Sequence, residues 1–375
     1  MVGAGAWGLP AAAELAGRGH QVSLVDRYGV ANWLSSSPGP TRLWRLTHPD
    51  AVRVRLGLRS VAAMERLAQR SGTEVFLRRG LLWRDGHALP DVLDALAGEG
   101  VPYQEVEPGD VGRFLPGLVP NGYPAVWVDE AGPVLAEASM AAQAGLFSRA
   151  GGELVIGRQV HSVSTGPSGV RVEFDDDASD LDADVVVLAP GPGAAPLLAT
   201  LGIDLALAPR LEQVVHLGSA ENPGAADGFG CLVDAAPRRS DGSKVPGLGL
   251  YAMPTPGVGY KVGVDGYRPY VEGDRDRTPD PALTERVLAW ARASLTSVPA
   301  NALDVTVCSL TDSPDRRFVI DRLPGGVVLA CGDSGEGFKF SALMGQVLAD
   351  LAEGATPDPD VAGFGLARFA VPAAG

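Results

Sequence analysis

The apolar positions of the chain fall into helical, alternating and continuous runs, and each run predicts an element. Near the start, Val2-Gly3-Ala4-Gly5-Ala6-Trp7-Gly8 leads into Pro10 to Ala16, which reads as a helix with proline tolerated in its first turn. Gly17 and Gly19 stop it, and Gln21 to Val25 reads as a strand ending in Asp26. Residues 51 to 71 read as a helix with Leu56, Leu58, Val61, Met64 and Leu67 as apolar positions. Residues 74 to 149 mix short strands and helices, and a second α/β segment begins near Gly151. There Leu154 to Ile156 and Val160 read as strands, and Asp184 to Gly191 as a strand buried on both faces, the parallel-sheet pattern. The acidic run between them (Asp175, Asp176, Asp177, Asp180, Asp182) reads as a solvated turn rather than a metal site.

Residues 207 to 305 alternate more strongly. Leu248 to Met253 and Gly259 to Val264 predict a hairpin around Pro254-Thr255-Pro256-Gly257, with Lys261, Gly263 and Asp265 on one face and Tyr260, Val262 and Val264 on the other. Last come a buried strand (Val327 to Gly332), a glycine-rich loop (Asp333 to Phe340) and an amphipathic helix (Ser341 to Ala352) closed by Gly354. The chain thus carries two strand–glycine loop–helix units. Together they predict an α/β fold: a discontinuous Rossmann-like domain plus a mixed-sheet α+β domain.

The first unit has chemical content. Gly3, Gly5 and Gly8 have the G-x-G-x-x-G spacing, and Asp26 ends the next strand. The first glycine permits the tight turn, the second lets a pyrophosphate approach the backbone, and the third lets helix and strand pack closely. The helix N-terminus offers free N–H groups to phosphate, and an aspartate there can accept hydrogen bonds from a ribose. Only Met1 and Val2 precede Gly3, so the first strand is either truncated or starts upstream of the given sequence. Arg42 and Arg45, three apart, would share a face on a helix or turn and could clamp a carboxylate or a cofactor.

Composition narrows the class. The chain has 375 residues, 46% hydrophobic and 20% charged, enough for two or three domains. Three cysteines, Cys231, Cys308 and Cys331, exclude a disulfide scaffold, and no apolar run is long enough for a spanning helix. A net charge of −14 argues against nucleic acid and anionic membranes as partners. No targeting signal is evident, so a cytoplasmic location is expected. Of the 31 basic residues only Lys244, Lys261 and Lys339 are lysine. Against such an arginine bias, a lysine that persists is a candidate for a role guanidinium cannot fill.

Five segments together carry a family resemblance: Val2 to Gly8 with Asp26; Thr41-Arg42-Leu43-Trp44-Arg45; Ala183 to Gly191; Val307-Cys308-Ser309-Leu310-Thr311; and Gly335-Glu336-Gly337-Phe338-Lys339-Phe340-Ser341. In them the sequence resembles FAD-dependent oxidoreductases of the D-amino-acid-oxidase superfamily, above all the monomeric sarcosine oxidase and N-methyltryptophan oxidase group. The resemblance implies FAD held by Gly3, Gly5, Gly8 and Asp26, by the Val160 backbone, and by Arg42, Gly191, Gly335, Gly337, Phe338 and Lys339, with Cys308 as a covalent thioether link. It implies that Arg45 pairs with a substrate carboxylate, that Lys339 lies beside flavin and substrate, that Lys261 assists oxygen, and that Tyr251 lines the site. It further implies a cofactor domain of residues 1–78, 150–206 and 312–375, a substrate domain of 79–149 and 207–311, a monomer, and no metal.

The expected reaction is oxidation of a secondary amine or a cyclic, N-methyl or aromatic amino acid, with hydride transfer to flavin N5 and reoxidation by O2 to hydrogen peroxide. An FAD-dependent oxygenase or dehydrogenase acting on an aromatic or cyclic metabolite is the alternative, and a flavin-binding subunit without turnover a second. Family histidines near the flavin are replaced here by Pro38, Asp265 and Glu336, and a family tyrosine by Leu310. These departures point away from sarcosine itself, and Asp265 is expected to reach Lys261.

Overall fold

A parallel sheet forms around the first glycine motif. In a computed structural model, residues 1–369 are described, except 86, 177–178, 236–248, 265–267 and 271–274. The sheet runs Glu153–Ile156, Ser23–Asp26, Val2, Val186–Leu188, Val327–Cys331, Val319–Leu323, all parallel except the last. Val2 bridges two strands: on one side its N–H donates to Val187 and its carbonyl accepts from Ala189, and on the other the Gly3 N–H donates to Val25 and the Met1 carbonyl accepts from Val25. Its two neighbours meet it at the buried Val25 and Leu188, as parallel strands covered on both faces do.

The helix Gly8–Gly17 packs between Ser341–Ala352 and Ala136–Arg149. The helices approach closely at Gly345, where a Cβ would lie 2.7 Å from that of Pro10. Ala51–Ser71 is the predicted long helix, N-capped by Asp50 and closed by Gly72 at φ 70°. Its buried stripe runs Val54, Gly57, Ser60, Ala63–Met64, Leu67 at helical spacing, while Leu58 and Val61 flank it half-buried.

Among the described residues the second sheet has nine strands. Ala208–Leu217 pairs along its length with Ala302–Asp312 on one side, and with Gly259–Val264 and Arg268–Pro269 on the other. From Gly259–Val264 the order continues through Leu250–Thr255, Cys231–Asp234, Leu81–Arg84, Ala125–Val128 and Gln104–Val106. Strand alternation sorts its faces. Val215, Leu217, Ala252, Tyr260 and Val262 pack on Leu283, Val287 and Ala291 of the helix Pro281–Ser294. The other face presents Glu212, Tyr251, Lys261 and Cys308 to a cavity shared with the glycine motif.

Three expectations need correction. The hairpin turn lies at Pro256-Gly257-Val258, because Pro254 and Thr255 are still paired in the strand; Leu248 lies outside the described residues. The strand expected over 184–191 is only Val186–Leu188, since Pro190 and Gly191 turn away. Arg42 sits in a strand, Thr41–Trp44, paired with Gly132–Leu135, not on a helix or turn. Among the described residues no helix is long and apolar enough to cross a membrane.

Candidate active site

Three adjoining cavities form one elongated path. The first, about 670 Å³, runs from Asp26 past Val160 and Arg158 to Pro192 and Thr200. It shares Gly3, Asp26, Ser35 and Pro190 with an inner chamber of about 150 Å³. The chamber shares Arg42, Glu212, Tyr251, Gly335 and Phe338 with a third cavity of about 480 Å³.

Backbone dominates the first junction. Gly3 has φ 97°, and a Cβ there would lie 2.2 Å from the Ala189 carbonyl oxygen. A Cβ on Gly8 would lie 1.9 Å from the Gly3 carbonyl oxygen, so the third glycine permits the close packing expected of it, without itself lining the cavity. No side chain caps the helix Gly8–Gly17, whose N-terminal approach, Gly5 to Trp7, lines the chamber. Asp26 already accepts three backbone N–H groups, from Ala4, Tyr28 and Gly29, each at 2.8 Å. It orders the loop and lines the cavity.

The inner chamber places two basic side chains, Arg42 and Lys261, among the carboxyl groups of Asp26, Glu212 and Asp333. Arg42 is fixed by donating to the carbonyls of Thr41, Ser36 and Pro38 at 2.9, 3.1 and 2.6 Å, and its guanidinium lies 5.5 Å from the Phe338 ring centre. Lys261 is 3% exposed and donates to the Thr41 carbonyl at 2.8 Å. Burial, reinforced by Arg42, pushes its pKa down to about 7. On the same face stand His216, its partner in the next strand, and Asp304, 3.5 Å beyond. Cys308 is a free thiol opposite Glu212, and burial pushes its pKa up. The ring of Tyr251 occupies the space over Gly263, where a Cβ would lie 2.4 Å from it. Asp265 lies outside the described residues, so its expected contact with Lys261 is not described.

The third cavity has a cationic corner. Glu336 Oε1 lies 3.1 Å from Arg45 Nη2 and 3.4 Å from Lys339 Nζ, and Oε2 lies 3.3 Å from Arg53 Nε. Arg45 is held from behind by the Thr47 carbonyl and by His48 Nδ1. Burial alone would raise the Glu336 carboxyl; Lys339, His48, Arg45 and Arg53 hold it well below the usual carboxylate range. Burial brings Lys339 down to about 8, with Glu336 opposing the shift. The loop that carries Glu336 has two successive left-handed residues, Ser334 at φ 49° and Gly335 at φ 76°. A non-glycine residue in that region is a strained conformation of the kind that clusters at functional sites. Here it turns the chain so that Glu336 and Lys339 face Arg45.

The structure thus brings together eleven of the predicted residues around the chamber: Gly3, Gly5, Asp26, Arg42, Gly191, Tyr251, Lys261, Cys308, Gly335, Gly337 and Phe338. Val160 lines the outer cavity, and Arg45 and Lys339 the third. Arg53, His48, Glu212 and His216 are not marked by any local motif. They reach the site through tertiary packing, which the sequence does not display.

A glycine cradle at an uncapped helix end, opening onto a chamber lined by Arg42 and Lys261, is the arrangement expected of a dinucleotide-dependent redox enzyme. The family described as FAD dependent oxidoreductase (DAO) matches residues 1–351, and the chain belongs to that family. The chain is 26% identical to a monomeric sarcosine oxidase of Bacillus sp., covering 99% of this chain and 96% of that one. It is 25% identical to an N-methyl-L-tryptophan oxidase of Citrobacter koseri, covering 98% of each. Its fold is that of NikD, an amino acid oxidase essential for nikkomycin biosynthesis, at TM-score 0.83 and 23% identity over 97% of this chain and 95% of that one.

The protein is therefore an FAD-dependent oxidoreductase, and the cavities fit the cofactor. Gly3 makes its tight turn against the Ala189 carbonyl, Gly5 bares backbone to the chamber, the helix end is uncapped, and two cavities meet there.

Proposed function

We propose that the chain oxidises the C–N bond of a secondary amine or amino acid bearing a carboxylate, with O2 as final acceptor and hydrogen peroxide as product. The observation that supports this most is the convergence of Arg45 and Lys339 on one carboxylate position, in a cavity that opens onto the chamber of Lys261 and Cys308. FAD, when bound, supplies the acceptor for the hydride equivalent and passes the electron pair to oxygen.

The chain's own residues would do the following. Arg45 presents Nη2 to the carboxylate while Nη1 stays anchored on Thr47, and Lys339 adds a second cation. That grip orients the amine towards the chamber, where Tyr251 forms a shared wall. Lys261, in its protonated form, supplies positive charge there for the negative charge that oxygen acquires on reduction. Cys308 is the candidate covalent link. In this reading residues 1–78, 150–206 and 312–375 hold the cofactor, residues 79–149 and 207–311 wall the substrate, and the enzyme works as a monomer.

The test pairs each N-methyl or cyclic amino acid with the same amine lacking its carboxylate, with the holoprotein in air. The expected result is one peroxide per substrate consumed and a loss of about 100-fold in kcat/KM without the carboxylate, the worth of a charge-assisted hydrogen bond of ~3 kcal/mol. Turnover without peroxide would favour the oxygenase or dehydrogenase alternative.

A further inference from the structure

We propose that Glu336 is a resident carboxylate: it occupies the position the substrate carboxylate takes, and substrate binding exchanges one for the other. The inference rests on the carboxylate reading of the cavity and deepens it.

Three observations carry it. First, Oε1 alone touches both expected carboxylate partners, Arg45 at 3.1 Å and Lys339 at 3.4 Å. A second carboxylate cannot bridge the same two donors while Oε1 remains there. Second, Glu336 lines the cavity beside Arg45 and Lys339, so it is displaceable from the cavity side. Third, a berth exists for it after displacement. Arg53 Nε lies 3.3 Å from the other oxygen, Oε2, which makes no hydrogen bond, and Arg53 is not part of the cavity wall.

Charge supports the exchange. Arg45, Arg53 and Lys339 surround Glu336, so one carboxylate faces three cations. With a substrate bound, the two carboxylates would divide them: Glu336 keeps Arg53, and the substrate takes Arg45 and Lys339. Gly335, left-handed at φ 76°, immediately precedes Glu336 and gives the loop a pivot with no Cβ. Glu336 would then set a threshold. Ligands with a carboxylate well placed for Arg45 displace it, and neutral amines leave it in place.

Acetate tests this without turnover, because it has the carboxylate and no amine to oxidise. Its Kd is measured from the visible spectrum of the bound flavin in the wild-type holoprotein and in Glu336→Gln, Glu336→Asp and Arg45→Met. Glu336→Gln removes the charge; Glu336→Asp keeps it but is one methylene too short to bridge both donors. Exchange predicts acetate binding at least tenfold tighter in both Glu336 variants, and lost in Arg45→Met. Unchanged or weaker binding in both would show that Glu336 organises the corner instead. Tighter binding in Glu336→Gln alone would show repulsion through space. Either result overturns exchange, as would loss of flavin and folding in both variants. If acetate binds none of the proteins, the carboxylate reading itself fails, a result distinct from failure of exchange alone.

Discussion

Lys261 is the residue on which oxygen chemistry depends in this mechanism, and burial makes it costly. Lys261→Met should leave anaerobic flavin reduction near the wild-type rate and slow reoxidation by about 100-fold or more, as loss of one preorganised charge does. Stopped-flow measurement of the two half-reactions separates them, and unchanged reoxidation would remove Lys261 from that role. The same residue predicts a pH effect on stability. Its amine titrates at about 7 in the folded chain, against 10.5 for an ordinary lysine, so the folded chain binds fewer protons between those values. The burial penalty is therefore full below pH 7 and fades towards pH 10.5. Cofactor-free Lys261→Met should gain most stability at pH 7 and below, with the gain shrinking by ~1.4 kcal/mol per pH unit above that. Urea midpoints at about pH 7 and about pH 9 check the sign. Cys308→Ala should release its yellow colour to the supernatant on acid precipitation, where the wild type keeps it in the pellet. Lys261 and Lys339 are legible in the sequence because lysine is so scarce in it. Arg53 and Glu336 cannot be paired by reading, since they are far apart in the chain and meet only through tertiary packing.

Among the elements, those whose pattern is set locally are readable. The helix Ser341–Ala352 has its predicted ends, and Val327–Cys331 falls one residue short of its predicted span. Thr41–Trp44 does not read as a strand because its pairing partner, Gly132–Leu135, is distant and supplies the strand character that four residues cannot display alone. Two strands are held by an ion pair with no sequence signal at all. Arg84 and Asp234 are register partners in parallel strands, with Nη2 and Oδ2 2.6 Å apart and Arg84 only 1% exposed. Arg84→Met should destabilise the protein by ~3–5 kcal/mol, because it leaves Asp234 uncompensated in a largely dry setting. Arg84→Met combined with Asp234→Leu should recover part of that loss. Thermal melts of the two variants decide it, and equal losses in both would contradict the assignment.

For the molecule as a whole, the active site is a property of the seam between two sheets. The parallel sheet brings Gly3, Asp26 and Gly191, and the nine-stranded sheet brings Tyr251, Lys261 and Cys308. The carboxylate corner comes from neither sheet, but from Arg45, just past the strand Thr41–Trp44, and from Glu336 on the strained loop. The order of elements therefore discloses the fold class, while the cavity that joins them requires the three-dimensional packing. What the assembled seam would perform is a C–N oxidation in which the protein's flavin takes the substrate's electrons. The direct test mixes the holoprotein, without oxygen, with a panel of carboxylate-bearing secondary amines and amino acids, and then admits air. At least one of them should bleach the visible flavin spectrum, and the colour should return on aeration with one hydrogen peroxide per flavin. A flavin that keeps its colour against the whole panel, yet is bleached by a chemical reductant, would rule out this oxidation as the protein's function.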